Sequence, residues 1–171
     1  MLKISFIIPF FNSEKTLPLC LQAIEEQTIA PFDVILVDNN STDSSREIAQ
    51  DFVANHPSHA RYLLADRQGP SYARNYGAEV AHGKIIAFID SDCIADARLH
   101  EDLVGAFGDA KIGAVAGKIT GFRKESLWDK FHFMFTLKSL SEEQTFSEFT
   151  LIRGGFPAAN LAVRKDVFER K

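Results

Sequence analysis

Short, mostly apolar runs alternate along this chain with stretches in which apolar residues return every three or four positions. Residues 4–9, 34–37, 62–64, 85–89 and 114–119 are of the first kind. Runs of this length, bounded by turn-forming residues, suit strands covered on both faces. Between them, residues 16–26 place Leu17, Leu21 and Ile24 at helical spacing, and residues 43–55, 71–81 and 99–107 also read as helices. Ser41 or Thr42 is the expected cap of the second helix, since a hydroxyl there can accept an otherwise unpaired amide N–H. Such repetition predicts a mostly parallel central sheet with helices on both faces, joined by right-handed crossovers. After about residue 120 the rhythm loosens, and Trp and Phe gather among charges.

Composition narrows the picture. With 171 residues, 46% of them hydrophobic and 25% charged, the chain supports one substantial core rather than two. A net charge of −4 leaves no general footprint for nucleic acid or an anionic membrane, so any phosphate binding must be local. Cys20 and Cys93 form no CxxC pair and fit reduced thiols in a cytoplasmic protein better than a disulfide framework. No apolar stretch reaches the length of a membrane span, and the opening strand is too short and wrongly flanked to be expected to act as a signal peptide.

The chemistry gathers at strand ends. Asp90-Ser91-Asp92 closes the apolar run 85–89 with two carboxylates one residue apart. Two such anions repel each other and are costly to desolvate, which a divalent cation would relieve. Mg²⁺ or Mn²⁺ takes one or two protein carboxylates and leaves its other positions to water and phosphates. Alone, an Asp-x-Asp pair is equally well explained by Asx turns. It does not stand alone: Pro9-Phe10-Phe11-Asn12 follows the first strand and Asp38-Asn39-Asn40-Ser41-Thr42-Asp43 the second. In an open parallel sheet these ends border one crevice. Neither GxGxxG after the first strand nor a GxxxxGK[ST] loop is present, so a metal must do the work of a backbone phosphate cradle. Phosphotransferases with an Asp-x-Asp nucleophile are a competing class, but there the pair normally follows the first strand.

These residues resemble a known family. Residues 5–12, 33–43, 69–77 and 158–168, taken with the Asp-x-Asp strand, are similar to the family 2 glycosyltransferases, the inverting, nucleotide-sugar-dependent enzymes of GT-A fold. The resemblance implies a three-layer α/β/α, Rossmann-like domain over residues 1–171, with 1–120 binding the nucleotide sugar and 121–171 beginning an acceptor-side part. It implies a base pocket lined by Pro9 and Phe11, the Phe11 ring offering a stacking face. Asp38 would accept a hydrogen bond from the base, as from uracil N3–H. Asp90 would face the ribose or the hydrated metal, with Ser91 beside it, and Asp92 would be the direct ligand of Mn²⁺ or Mg²⁺. Arg74 would clasp phosphate with paired donors, and Asn75 is a further candidate on the same helix.

The implied donor is a nucleotide-diphosphate sugar, UDP-linked first of all. The acceptor, whether carbohydrate, lipid-linked or protein, is not specified, and the implied setting is cell-envelope polysaccharide synthesis in the cytoplasm or at the inner face of the membrane. The aromatic stretch Trp128, Phe131, Phe133, Phe135 is a candidate surface for acceptor or membrane. An inverting transfer needs a carboxylate to deprotonate the acceptor hydroxyl, and the family pattern places it after Lys171. Glu142, Glu143 and Glu148 sit in a polar setting that reads as a solvated loop. A non-catalytic nucleotide-sugar-binding module is the alternative. A nucleotidyltransferase fits less well, because the loop after the first strand is neither glycine-rich nor basic. The five histidines are scattered and read as packing or surface residues.

Overall fold

A computed structural model describes residues 3–28, 32–119, 144–146 and 158–170. Trp128, Phe131, Phe133, Phe135, Glu142, Glu143 and Glu148 lie outside the described residues. The elements run β1 (Ile4–Phe10), α1 (Leu17–Glu25), β2 (Phe32–Asp38), α2 (Ser45–Asn55), β3 (Ala60–Leu64), α3 (Pro70–Val80), β4 (Ile85–Ile89), α4 (Leu99–Ala106), β5 (Ala114–Ala116), β6 (Gln144–Phe146), β7 (Asn160–Arg164) and α5 (Lys165–Phe168). They form a seven-stranded sheet of order β3-β2-β1-β4-β7-β5-β6.

The strands read as continuous apolar runs because both sheet faces are covered. Along β1, Ile4, Phe6 and Ile8 enter one core with Leu17, Leu21 and Ile24 of α1, Phe52 of α2 and Leu103 of α4. The intervening Ile7 enters a second core with Ala73 and Ala78 of α3 and Val163 of β7. Burying each of these larger side chains contributes about 1.5–3 kcal/mol, so a central strand with polar residues on either face would forfeit one layer. Ser5 is the exception, and it is satisfied: its hydroxyl donates to Asp33 (2.9 Å) and receives the Gly83 N–H (2.8 Å). Arg61 completes the group by pairing with Asp33 at 2.7 Å.

Two differences from the sequence reading have local causes. α2 begins at Ser45 with Ser44 in the capping position, not Ser41 or Thr42. Ser41 is occupied elsewhere, its hydroxyl accepting the Asn12 N–H, and the Asp43 carboxylate takes the Ser45 N–H instead. The strand expected over residues 114–119 ends at Ala116. Beyond it the Gly117 N–H turns to the Asn160 carbonyl of β7. That strand, not foreseen from pattern, inserts antiparallel between β4 and β5. Its last residue, Arg164, donates to the carbonyls of Phe107, Asp109 and Ile112 and lies over the Phe107 ring, closing the end of α4.

α3 lies close against β1 and β2 because Gly77 leaves room for it. A Cβ at this position would sit 2.5 Å from Ile7 Cγ2 and 3.1 Å from Val37 Cγ2. We therefore expect Gly77→Val to lower stability by about 2–3 kcal/mol through overpacking, read as a shifted urea midpoint. An unchanged midpoint would show that α3 does not seat on the sheet in this way.

Candidate active site

The strand order reverses between β1 and β4, since the chain moves outward through β2 and β3 and then returns to the other side of β1. At the carboxyl ends of β1, β2 and β4 this opens a cleft of about 390 Å³, lined by Pro9, Phe10, Phe11, Asn12, Ser13, Thr16, Asn39, Pro70, Arg74, Asp90, Ser91 and Asp92. That volume is within the range of small-molecule sites.

The wall after β1 is held in place by the loop after β2. Asn12 adopts the left-handed conformation (φ 48°), which Asn tolerates better than most residues. Its Oδ1 receives the Thr42 N–H at 2.8 Å. Ser13 N–H donates to the Ser45 hydroxyl at 2.7 Å and Glu14 N–H to Asp43 at 3.1 Å. The Ser13 and Ser91 hydroxyls share a hydrogen bond of 2.9 Å, joining the β1 wall to the acidic loop after β4.

Of the residues expected at the site, Pro9, Phe11, Arg74, Asp90, Ser91 and Asp92 line the cleft, while Asp38 and Asn75 do not. Asn75 is exposed on α3. Asp38 is fully buried, and its carboxylate is engaged by the Ser41 N–H (2.7 Å), Arg46 Nε (2.9 Å) and the Tyr62 hydroxyl (2.9 Å). Burial by itself would raise its pKa. The Ser41 amide, the Arg46 guanidinium and the Ser41 and Tyr62 hydroxyls outweigh that and hold it below the ordinary carboxylate value. Its partner Tyr62 is pushed up to about 12 by burial and by the same carboxylate.

The adjacent Asn39 takes the place in the cleft. Its Oδ1 accepts the Gly69 N–H at 2.9 Å, leaving the Nδ2 amino group for a ligand. Gly69 starts α3 at φ 148°, a conformation that side chains rarely adopt. The sequence reading places Asn39 and Asn12 only within the clusters that border the crevice and Pro70 only within the matched segment 69–77, with no role of their own, and does not single out Ser13 or Thr16. The only available signal for Asn39 was its place in the polar run after the second strand, shared by five neighbours.

The acidic pair is split. Asp90 Oδ1 is bound by Arg74 Nη2 at 2.5 Å, with the two side chains 31% and 21% exposed. Among the described residues, Arg74 Nε is buried with no hydrogen-bond partner. Asp92 is exposed, and its one side-chain hydrogen bond among the described residues is with the Cys93 thiol, 3.7 Å away. Among the described residues no three His, Cys, Asp or Glu side chains converge on one point. The donor set suits a hard cation that draws its remaining ligands from phosphate and water.

The two cysteines, far apart in sequence, meet at the Asp90 carbonyl: Cys20 Sγ lies 3.7 Å from it and the Cys93 N–H donates to it. Both are free thiols. Burial, then the neighbouring cysteine and aspartates, push Cys20 up to about 12; burial, then Asp92 and Asp90, do the same to Cys93. Neither is a nucleophile at neutral pH. His100 is fully buried against the Phe6 and Phe32 rings, a packing role.

A mostly parallel sheet with a cleft of this composition at its switch point defines an α/β protein of GT-A type, and solved structures bear out that fold. S. aureus TarS superposes with a TM-score of 0.74 at 22% identity, covering 95% of this chain and 28% of TarS. TarS residues 1–349 have also been solved with UDP-GlcNAc. The mannosyltransferase PcManGT of Pyrobaculum calidifontis, solved with GDP-Man and Mn²⁺, gives 0.64 at 22% identity over 91% of this chain and 47% of its own. The chain belongs to glycosyl transferase family 2, whose model matches residues 5–170. The glycosyltransferase AglE of Haloferax volcanii is 32% identical over 174 residues, which span 97% of this chain and 54% of AglE. This chain thus corresponds to about half of that relative.

The depressed pKa of Asp38 makes its contribution to stability complete above the unfolded carboxylate value and lost as pH falls through the folded one. Asp38→Asn should cost about 2–3 kcal/mol at pH 7, the worth of hydrogen bonds to a charged group. In chemical denaturation the gap from wild type should narrow as pH drops below about 4. A gap independent of pH would mean that the carboxylate charge is not what stabilises the turn.

Proposed function

We propose that the cleft binds the nucleoside diphosphate of a sugar donor together with Mn²⁺ or Mg²⁺, as the donor-binding part of an inverting glycosyltransferase. The observation that carries this reading is the convergence of an exposed aromatic ring, a guanidinium and two carboxylates at one switch-point cleft. Phe11 is 45% exposed at the cleft, directly after a fully buried strand, and its ring offers a face on which a planar ligand can stack. The complexes of TarS with UDP-GlcNAc and of PcManGT with GDP-Man and Mn²⁺ support a nucleotide sugar and a metal as ligands of this fold.

The chain's own residues divide the work by chemistry. Pro9 and Phe11 face the base, and Asn39 offers its amino group to a base carbonyl. Recognition therefore passes from the acceptor role expected of Asp38 to a donor role at the next residue. Arg74 neutralises phosphate charge with donors fixed by α3. Asp92 is the direct metal ligand and Asp90 the second, which also faces the ribose. The cation supplies Lewis-acid stabilisation of the departing nucleoside diphosphate. The base that activates the acceptor follows Lys171 in the family pattern. The acceptor is a carbohydrate, lipid-linked or protein group, and its proposed setting is envelope polysaccharide synthesis on the cytoplasmic side.

Calorimetric titration of UDP, GDP and dTDP, with Mn²⁺ and with EDTA, tests this. One nucleotide should bind in a metal-dependent manner, and Asp92→Ala should remove the metal dependence without lowering the melting temperature. Loss of a stacking contact worth about 1–1.5 kcal/mol should weaken binding to Phe11→Ala roughly tenfold. If none of the three binds wild type, the donor-site reading is wrong.

A further inference from the structure

Resting on that reading of the cleft, we propose that Arg74 is a built-in counter-cation that keeps a free divalent metal off Asp90, so that metal is held tightly only alongside a diphosphate. The two carboxylates of the acidic loop are not equivalent in this structure. Asp90 already has a cation, the Arg74 guanidinium at 2.5 Å, whereas Asp92 is exposed and forms no ion pair among the described residues. A metal ion arriving alone would have to displace that guanidinium, or sit beside it and bind through Asp92 only. Both routes are unfavourable, because like charges repel most where water is partly excluded. One carboxylate without a second protein ligand is a weak site for Mg²⁺ or Mn²⁺.

Arrival of a diphosphate reverses the balance. Its negative charge offsets both cations, and its oxygens supply the ligands that the protein lacks. Arg74 is placed to accept this exchange: Nη2 holds Asp90, the side chain lines the cleft, and among the described residues no hydrogen bond engages Nη1. The guanidinium can take a phosphate oxygen through Nη1 before it releases the carboxylate. The buried, unpartnered Nε shows that the protein holds this group at Asp90 at the cost of a hydrogen bond. Arg74 thereby positions Asp90 and acts on the metal through it.

Manganese binding read from the electron-paramagnetic-resonance signal of free Mn²⁺ tests this directly, since it needs no turnover. Wild type should bind Mn²⁺ alone only weakly, and Arg74→Gln at least tenfold more tightly. In the wild-type background Asp90→Asn should change binding of Mn²⁺ alone by less than twofold, because Arg74 already occupies that carboxylate, whereas Asp92→Asn should abolish it. The proposal is overturned if Arg74→Gln binds Mn²⁺ no more tightly than wild type. It is equally overturned if Asp90→Asn weakens binding as much as Asp92→Asn, an arm that survives any folding defect at Arg74. Adding UDP, GDP or dTDP should tighten Mn²⁺ binding by wild type. If none does while Arg74→Gln still gains tenfold, the nucleotide reading of the cleft fails and the exclusion by Arg74 holds.

Discussion

The cleft depends on a carboxylate that never reaches it. Asp38 is fully buried at the end of β2 and gathers an amide from its own turn, a guanidinium from α2 and a hydroxyl from β3. A buried charge is tolerated only when its hydrogen-bonding capacity is filled, so these three elements must arrive in one arrangement. The turn that they define then presents Ser41, Thr42, Asp43 and Ser45 to the loop after β1, which bonds to each of them. The aromatic side of the cleft is therefore built on an electrostatic requirement one layer beneath it. Rigidity of this kind reduces the ordering cost of binding.

Topology supplies the other side. Because β1 is flanked by β2 and β4, the loops after all three strands face one opening, although Asp38 and Asp90 are far apart in sequence. The Ser13–Ser91 hydrogen bond ties those loops directly. Gly77 lets α3 seat on the sheet, and its first turn brings Pro70 and Arg74 over the acidic loop. Small residues at a helix–sheet contact thus set where a cationic side chain ends up.

Charge within the cleft is arranged so that the ligand-free state is tolerable. One acid is matched by Arg74, the other is left to water, and the thiols beneath remain protonated because burial and both carboxylates oppose ionisation. The cleft thus holds a charge of each sign side by side. The chain shares the GT-A fold of TarS and spans about half the length of AglE.

Hydrophobic rhythm alone determined the strand–helix alternation from β1 to β5, because a strand covered on both faces has no polar positions and a helix covered on one has a period near 3.6. The polar clusters after the first, second and fourth strands pointed to the carboxyl strand ends, and the family resemblance, not the rhythm, singled out Pro9, Phe11, Arg74, Asp90, Ser91 and Asp92, which line the cleft. The rhythm did not show β7, a short segment whose place between β4 and β5 comes from pairing with strands distant in the chain. Nor could it separate Asp38 from Asn39. Adjacent residues at a strand end point to opposite sides, and which side faces solvent is decided by the packing of α2 and β3. The Arg74–Asp90 pair was hidden for the same reason: two charges sixteen positions apart meet only once a helix has docked on its sheet.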